Sequence, residues 1–184
     1  MKLFHFSNES DIEIFYPRVK SNRQDMPPVV WAIDEEHQFT FFVPRDCPRI
    51  IYTRSNDMCE KDIDRFFSTT TSDIVMTIET GWCERIKNAT LYRYELPSES
   101  FKLFDECAGY YISEEIITPI QKDAITNPLD LLLQLNIDVR FTPNLHPLRN
   151  AILSSSITDF GIHKFMNAQP IEASISAPKN RILS

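Results

Sequence analysis

The sequence predicts an α+β fold, with small mixed or antiparallel sheets packed with helices. Short apolar runs of strand character (Leu3–Phe6, Val29–Ile33, Leu91–Leu96) are interspersed with amphipathic runs such as Asn56–Phe67, without the regular alternation of a doubly wound sheet. The 13 Phe, 6 Tyr and 2 Trp promise an aromatic-rich core, because each ring buries a large apolar area. A length of 184 residues suits one domain, assigned to residues 1–166, and the Ala-, Ser-, Pro- and Asn-rich stretch 167–184 reads as an extended or partly ordered tail.

Leu3–Phe6 reads as a strand starting almost at residue 1. Ser7 or Ser10 can cap a short helix over Asp11–Phe15, which Pro17 ends. Val19–Pro28 is polar and proline-terminated, hence a loop, and its place before a buried strand makes it a wall or lid of a site. Val29–Ile33 is continuously apolar, as suits a strand buried on both faces. Asp34 stands where a helix cap belongs, Glu35 and Glu36 follow in the first turn, and Phe39, Phe42 and Val43 fall at helical spacing before Pro44.

Ile50–Thr53 reads as a strand, Asn56–Phe67 as a helix with Met58, Ile63, Phe66 and Phe67 inward, and Gly81–Asn88 as a helix. Periodicity leaves Ile74–Ile78 open between strand and helix. Leu91–Leu96 alternates cleanly, with Leu91, Arg93 and Glu95 on one face and Tyr92, Tyr94 and Leu96 on the other. Phe101–Phe104 and Tyr110–Ile112 are short strands or edge pieces, Pro128–Leu135 and Pro143–Ser154 helices, Ile137–Phe141 a strand, and Ile157–Phe165 a last strand.

Composition narrows the function. Three Gly against 12 Pro argue against a glycine-rich phosphate cradle. A net charge of −7 makes a nucleic-acid partner unfavourable, although Arg45, Arg49 and Arg54 could line a local basic groove. The spacing of Cys47, Cys59, Cys83 and Cys107 suits neither a zinc site nor a disulfide scaffold. With no signal peptide and no apolar run long enough to span a bilayer, the chain reads as cytoplasmic, with reduced thiols and no membrane partner.

The chemistry-bearing candidates are few. His5, between Phe4 and Phe6, is either a histidine satisfied by a backbone carbonyl or a ligand-binding ring able to donate to a ribose hydroxyl or a carbonyl. Asp34 reads first as a helix cap and His37 as a surface residue; with His5 and Glu36 their spacing matches no metal-ligand motif, so no metal is assigned. Glu114 and Glu115 follow the aromatic run Tyr110-Tyr111-Ile112, and as neighbours in an extended chain at most one of them faces a given cleft. Cys47 reads as a small half-buried residue.

Two runs carry a resemblance. Leu3-Phe4-His5-Phe6-Ser7 resembles the entry strand of the ADP-ribosyltransferase superfamily, and Val29–Asp34 followed by Glu35–Val43 is similar to its second strand and helix. Trp31 stands where that superfamily usually has tyrosine, and Ala32 supplies no hydroxyl. The resemblance implies an ADP-ribosyltransferase-like core that binds NAD through His5, Ser7, Trp31 and Asp34. It also implies Glu114 or Glu115 as the carboxylate that holds the nicotinamide ribose and steers transfer to an unknown acceptor. The alternative is a non-catalytic binding protein of the same shape. The whole chain also resembles a functionally uncharacterised bacterial family with HFS, VWAID and PRDCPR runs, which implies no activity.

Overall fold

The computed structural model describes residues 1–20 and 23–171. In chain order its strands are β1 (Leu3–Ser7), β2 (Val30–Asp34), β3 (Arg49–Thr53), β4 (Ile74–Glu79), β5 (Leu91–Leu96), β6 (Lys102–Asp105), β7 (Tyr110–Ser113), β8 (Gln121–Ile125), β9 (Asp138–Thr142) and β10 (Phe160–His163). The helices are α1 (Glu60–Phe67), α2 (Cys83–Lys87), α3 (Pro128–Gln134) and α4 (His146–Leu153). The fold is α+β with two sheets, and no helix among the described residues is long and apolar enough to cross a membrane. The chain forms two compact units, Met1–Arg45 with Lys87–Leu131, and Asp46–Ile86 with the chain from Leu132 onward.

The first unit is built on an antiparallel six-stranded sheet in the order β6-β7-β2-β1-β5-β8. Strand alternation sends Leu3, Val30, Ala32, Tyr94 and Leu96 into one buried cluster, closed by Phe15, Phe101 and Ile117. The opposite face carries a run of rings: Phe6 stacks on Phe41 at 5.8 Å, Phe41 meets Tyr110 at 6.3 Å, and Trp31 meets Tyr110 at 5.9 Å and Phe104 at 5.0 Å. Such offset and edge-to-face pairs favour the ring quadrupoles as well as burying area. Leu91–Leu96 is the strand expected, with the faces expected.

Two local expectations fail here for tertiary reasons. Asp11–Phe15 is not helical; Phe15 lies extended and exchanges both backbone hydrogen bonds with Ile117, at 2.8 and 2.9 Å. Burying the Phe15 ring against His5 and Tyr94 outweighs a short capped helix, which is marginal by itself. After β2, the expected helix is one 3-10 turn, Gln38–Phe41. Strand β8 (QKDAI) escapes the periodicity because it is an exposed edge strand; its register on β5 sets Asp123 beside Arg93, an ion pair of 3.0 Å.

The second unit holds a four-stranded sheet, β10-β3-β4-β9, antiparallel except for the parallel pair β4–β9. β3 and β4 are central and almost wholly buried, which is why Ile74–Ile78 becomes strand and not helix. Tyr52 of β3 packs edge-on against Phe66 and Phe67 of α1, at 5.7 and 5.5 Å, and Leu145, Ile152 and Ile157 complete that core. Helix α1 starts later than expected, with Cys59 at the N-cap. Of the tail expected from 167, residues 167–171 hold backbone contacts: Gln169 N–H donates to both Glu79 carboxylate oxygens at 3.0 Å, and Asn144 Nδ2 donates to the carbonyls of Gln169 and Pro170. The stretch 172–184 lies outside the described residues.

Candidate functional site

The site starts from one edge of β2. Along an antiparallel strand, alternate residues aim their backbone groups at opposite neighbours. The even-numbered Asp34 donates its N–H toward the β7 side, to the Gly109 carbonyl, so the odd-numbered residues face β1. Three different partners meet them in turn. Ile33 pairs with Phe4 of β1. The Trp31 carbonyl accepts from His5 Nδ1–H at 2.8 Å. Val29 exchanges both backbone bonds with Arg18, at 3.1 and 3.2 Å. β1 stays paired to β5 through all five of its residues but leaves β2 after Phe4, and the imidazole of His5 occupies the fork.

That bond fixes the chemistry of the ring. A carbonyl only accepts, so Nδ1 carries a proton. Burial lowers the His5 pKa; the Trp31 carbonyl opposes this by raising it, and the positive charges of Arg45, Lys20 and Arg18 lower it further. The imidazole is therefore neutral at pH 7, with a bare Nε2. This nitrogen makes no hydrogen bond among the described residues, and it is not sealed from solvent. The ring can accept a hydroxyl proton at Nε2, which reverses the donor role expected from sequence.

Arg18, Lys20 and Arg45 lie near enough to His5 for their charges to act on it. Arg18 is tied by its backbone to Val29, two residues or about 6.6 Å along the strand from Trp31. Lys20 Nζ lies 3.6 Å from the centroid of the Trp31 ring, and Arg23 lies 5.3 Å from that of Phe104, so the loop read as a wall sets its cations over these rings. Arg45 follows Phe42, whose ring packs on Phe6 at 5.7 Å, immediately after His5. Sequence reading missed Arg18 and Lys20 and grouped Arg45 with Arg49 and Arg54. The pairing of Arg18 with Val29 reveals the first and the ring contact with Trp31 the second, and no local spacing encodes either.

The other candidates are placed as follows. Trp31 projects from the face of Phe4 and Phe6, opposite to His5, so the two share a backbone contact and not a common wall. Its indole N–H is buried and has no acceptor among the described residues. Ser7 is buried, its hydroxyl accepting from the Glu9 N–H at 3.1 Å. Asp34 lies opposite Leu3, at the far end of β2 from the fork; its Oδ1 accepts from both the backbone N–H and the Nδ1–H of His37, each at 2.8 Å. This turn cap commits that oxygen. Glu114 and Glu115 are exposed just beyond β7, whose last residue Ser113 pairs with Val30. Neither carboxylate makes a hydrogen bond among the described residues; the Glu115 N–H donates to Ser113 Oγ.

Elsewhere the chemical groups serve structure. Cys47 is fully buried and its thiol is pushed up to about 12, chiefly by burial, so it is no nucleophile. Asp62 holds Ser156 by the hydroxyl at 2.8 Å and the N–H at 2.7 Å. A surface depression of about 350 Å³ is lined by Ser10–Glu13, Tyr94 and Pro119–Lys122; the Tyr94 hydroxyl in it donates to the Glu9 carbonyl and accepts from the Ile12 N–H. Among the described residues no three His, Cys, Asp or Glu side chains are grouped to hold a metal.

No curated protein and no solved structure matches the chain. The sequence model of a family of unknown function, DUF6886, matches residues 4–168, which span both units, and the chain belongs to that family.

Proposed function

We propose that the first unit is an NAD-binding, ADP-ribosyltransferase-like unit whose ligand enters the fork between β1 and β2. The observation that carries the reading is the bare Nε2 of His5, held at the fork by the bond to Trp31, with positive charges near enough to lower its pKa. A ribose hydroxyl supplies the proton that this nitrogen accepts, and the phosphates of a dinucleotide supply the negative charge that the cations favour.

In transfer, the bond between the ribose anomeric carbon and the nicotinamide nitrogen breaks, and its electron pair leaves with nicotinamide. The acceptor, water included, forms the new bond to that carbon and loses a proton. Positive charge builds on the ribose between these events, and a carboxylate aimed at it lowers the barrier. Glu114 or Glu115 takes that role in this reading.

A second reading, a non-catalytic binding protein of the same shape, is favoured by the exposure of both glutamates and the lack of any hydrogen bond that orients either carboxylate among the described residues. One experiment separates the two. Calorimetry with NAD should give a dissociation constant of ~10–1000 μM, and nicotinamide should be released slowly. Glu114→Gln or Glu115→Gln should retain binding and lose release. Binding without release in the wild type selects the non-catalytic reading, and no heat with NAD or ADP-ribose alongside no nicotinamide release refutes the transferase reading and favours the non-catalytic one.

A further inference from the structure

We propose that Trp31 and Tyr110 form an aromatic cage, on the face of the first sheet opposite to His5, that binds a trimethylammonium group, and that Lys20 occupies this cage as an internal stand-in.

Strand register builds the cage. Trp31 of β2 pairs with Ile112 of β7, and Ile33 with Tyr110, so Trp31 and Tyr110 are diagonal neighbours on one face. Their ring planes meet at 89° with centroids 5.9 Å apart, which gives a floor and a wall at right angles. Phe104 meets the same indole at 76° and 5.0 Å. All three rings are half-buried, so part of each still meets solvent. The protein itself shows what this corner attracts: the Lys20 ammonium sits 3.6 Å from the centroid of Trp31 and 6.0 Å from that of Tyr110, in reach of both ring quadrupoles.

Charge and hydration name the ligand. Arg23, over Phe104 at 5.3 Å, has its charge offset by Asp25 at 3.5 Å. Strand β6 sets the exposed Asp105 opposite Tyr110, and the net charge of −7 favours a cation. Ring faces accept no conventional hydrogen bond and a primary ammonium is strongly hydrated, so Lys20 gives up water to settle there. A trimethylammonium has no N–H to satisfy, and its methyl groups bury apolar area against the rings. It therefore displaces the ammonium of Lys20, a residue otherwise exposed. Free choline and the trimethylated lysine of a protein share this group. The inference goes beyond NAD binding and does not depend on it.

Choline, its neutral carbon isostere tert-butylethanol, and a short peptide carrying trimethyllysine are titrated into the wild type. Binding is followed by the indole N–H signals in nitrogen-15 NMR, with Trp82 as the internal control for Trp31. Choline and the peptide should shift the Trp31 signal alone, and tert-butylethanol should bind at least about threefold more weakly than choline. Lys20→Ala, which empties the cage, should tighten both cations about two- to fivefold. Tyr110→Leu should weaken choline, and Tyr110→Phe should retain it, with thermal unfolding as the check on folding. A peptide that binds more tightly than choline assigns the site to a methylated protein, the reverse order assigns it to a free metabolite, and either upholds the cage. Equal binding of choline and tert-butylethanol reduces the corner to an apolar pocket and overturns the proposal. An unmoved Trp31 signal in both the wild type and Lys20→Ala overturns it too, as does a Lys20→Ala affinity equal to that of the wild type. The comparison of charged with neutral ligand uses the wild type alone, so the test stands even if a ring variant fails to fold.

Discussion

His5 and Trp31 are joined by one hydrogen bond, imidazole Nδ1–H to backbone carbonyl at 2.8 Å, at the point where β1 parts from β2. The bond replaces the rung of ladder that the parting strands cannot make. It leaves no buried carbonyl unpaired there, a defect that costs about 1–3 kcal/mol. The same bond selects the tautomer on which the proposed binding chemistry depends.

His5→Ala should therefore lower stability by about 1–3 kcal/mol as well as weaken ligand binding. Nitrogen-15 NMR of the wild type should show Nδ1 protonated and Nε2 bare at pH 7. An Nε2-protonated ring would remove the acceptor and the proposal with it.

Acid should cost stability before the carboxylates titrate. Burial lowers the pKa of His5, and burial with the nearby Arg49 charge lowers that of His163 to about 3. Both rings are neutral when folded, whereas unfolded they protonate near 6.5. The folded form thus keeps its full contribution above pH 6.5 and loses it as pH falls toward the folded values, by about 1.4 kcal/mol per pH unit for each histidine. Urea unfolding between pH 7 and 5 should show this slope, reduced in His163→Asn. A flat profile would mean that these rings titrate normally.

Gly109 should tolerate no side chain. Its φ is +67°, and a Cβ placed there would lie 2.6 Å from His37 Cγ and 2.7 Å from Asp34 Oδ1. Gly109→Ala should destabilise by about 2–4 kcal/mol. Asp34→Ala, which removes only the turn cap, should cost about 0.5–2 kcal/mol. Denaturant unfolding ranks the two, and an equal or reversed order would contradict the close packing of Gly109 on the Asp34–His37 pair.

The four thiols should react in a fixed order. Cys59 and Cys107 are exposed, Cys83 is half-buried and Cys47 is buried with its thiol raised to about 12. Alkylation at pH 8, mapped by mass spectrometry, should label Cys59 and Cys107 first and Cys47 only in denaturant. Early labelling of Cys47 would show that the segment leading into β3 opens in the native protein.

Removing residues 167–184 should destabilise the second unit. Glu79 is 1% exposed, and its carboxylate accepts from the N–H groups of Gln169 and Leu145. Losing the Gln169 donor leaves a buried charge short of a partner, at about 1–3 kcal/mol. A truncated chain with unchanged urea midpoint would show that the Gln169 contact carries no stability.

The sequence by itself determined the elements whose signal is local. The apolar runs of β1, β2 and β3, the strict alternation of β5 and the amphipathic stripe of α1 each bury one face or both, and that need is written in the order of residues. It also brought His5 and Trp31 forward, as polar and aromatic breaks in apolar strands. Tertiary structure alone decided the rest. Phe15 is extended because Ile117, about a hundred residues away, offers it both backbone bonds, and β8 is a strand because β5 has an open edge. Arg18 is tied beside the fork by its pairing with Val29, and Trp31 turns from His5 because strand neighbours share faces by pairing and not by proximity in sequence. Local pattern encodes what a segment must bury; which groups converge at the fork depends on long-range pairing, which no window of sequence contains.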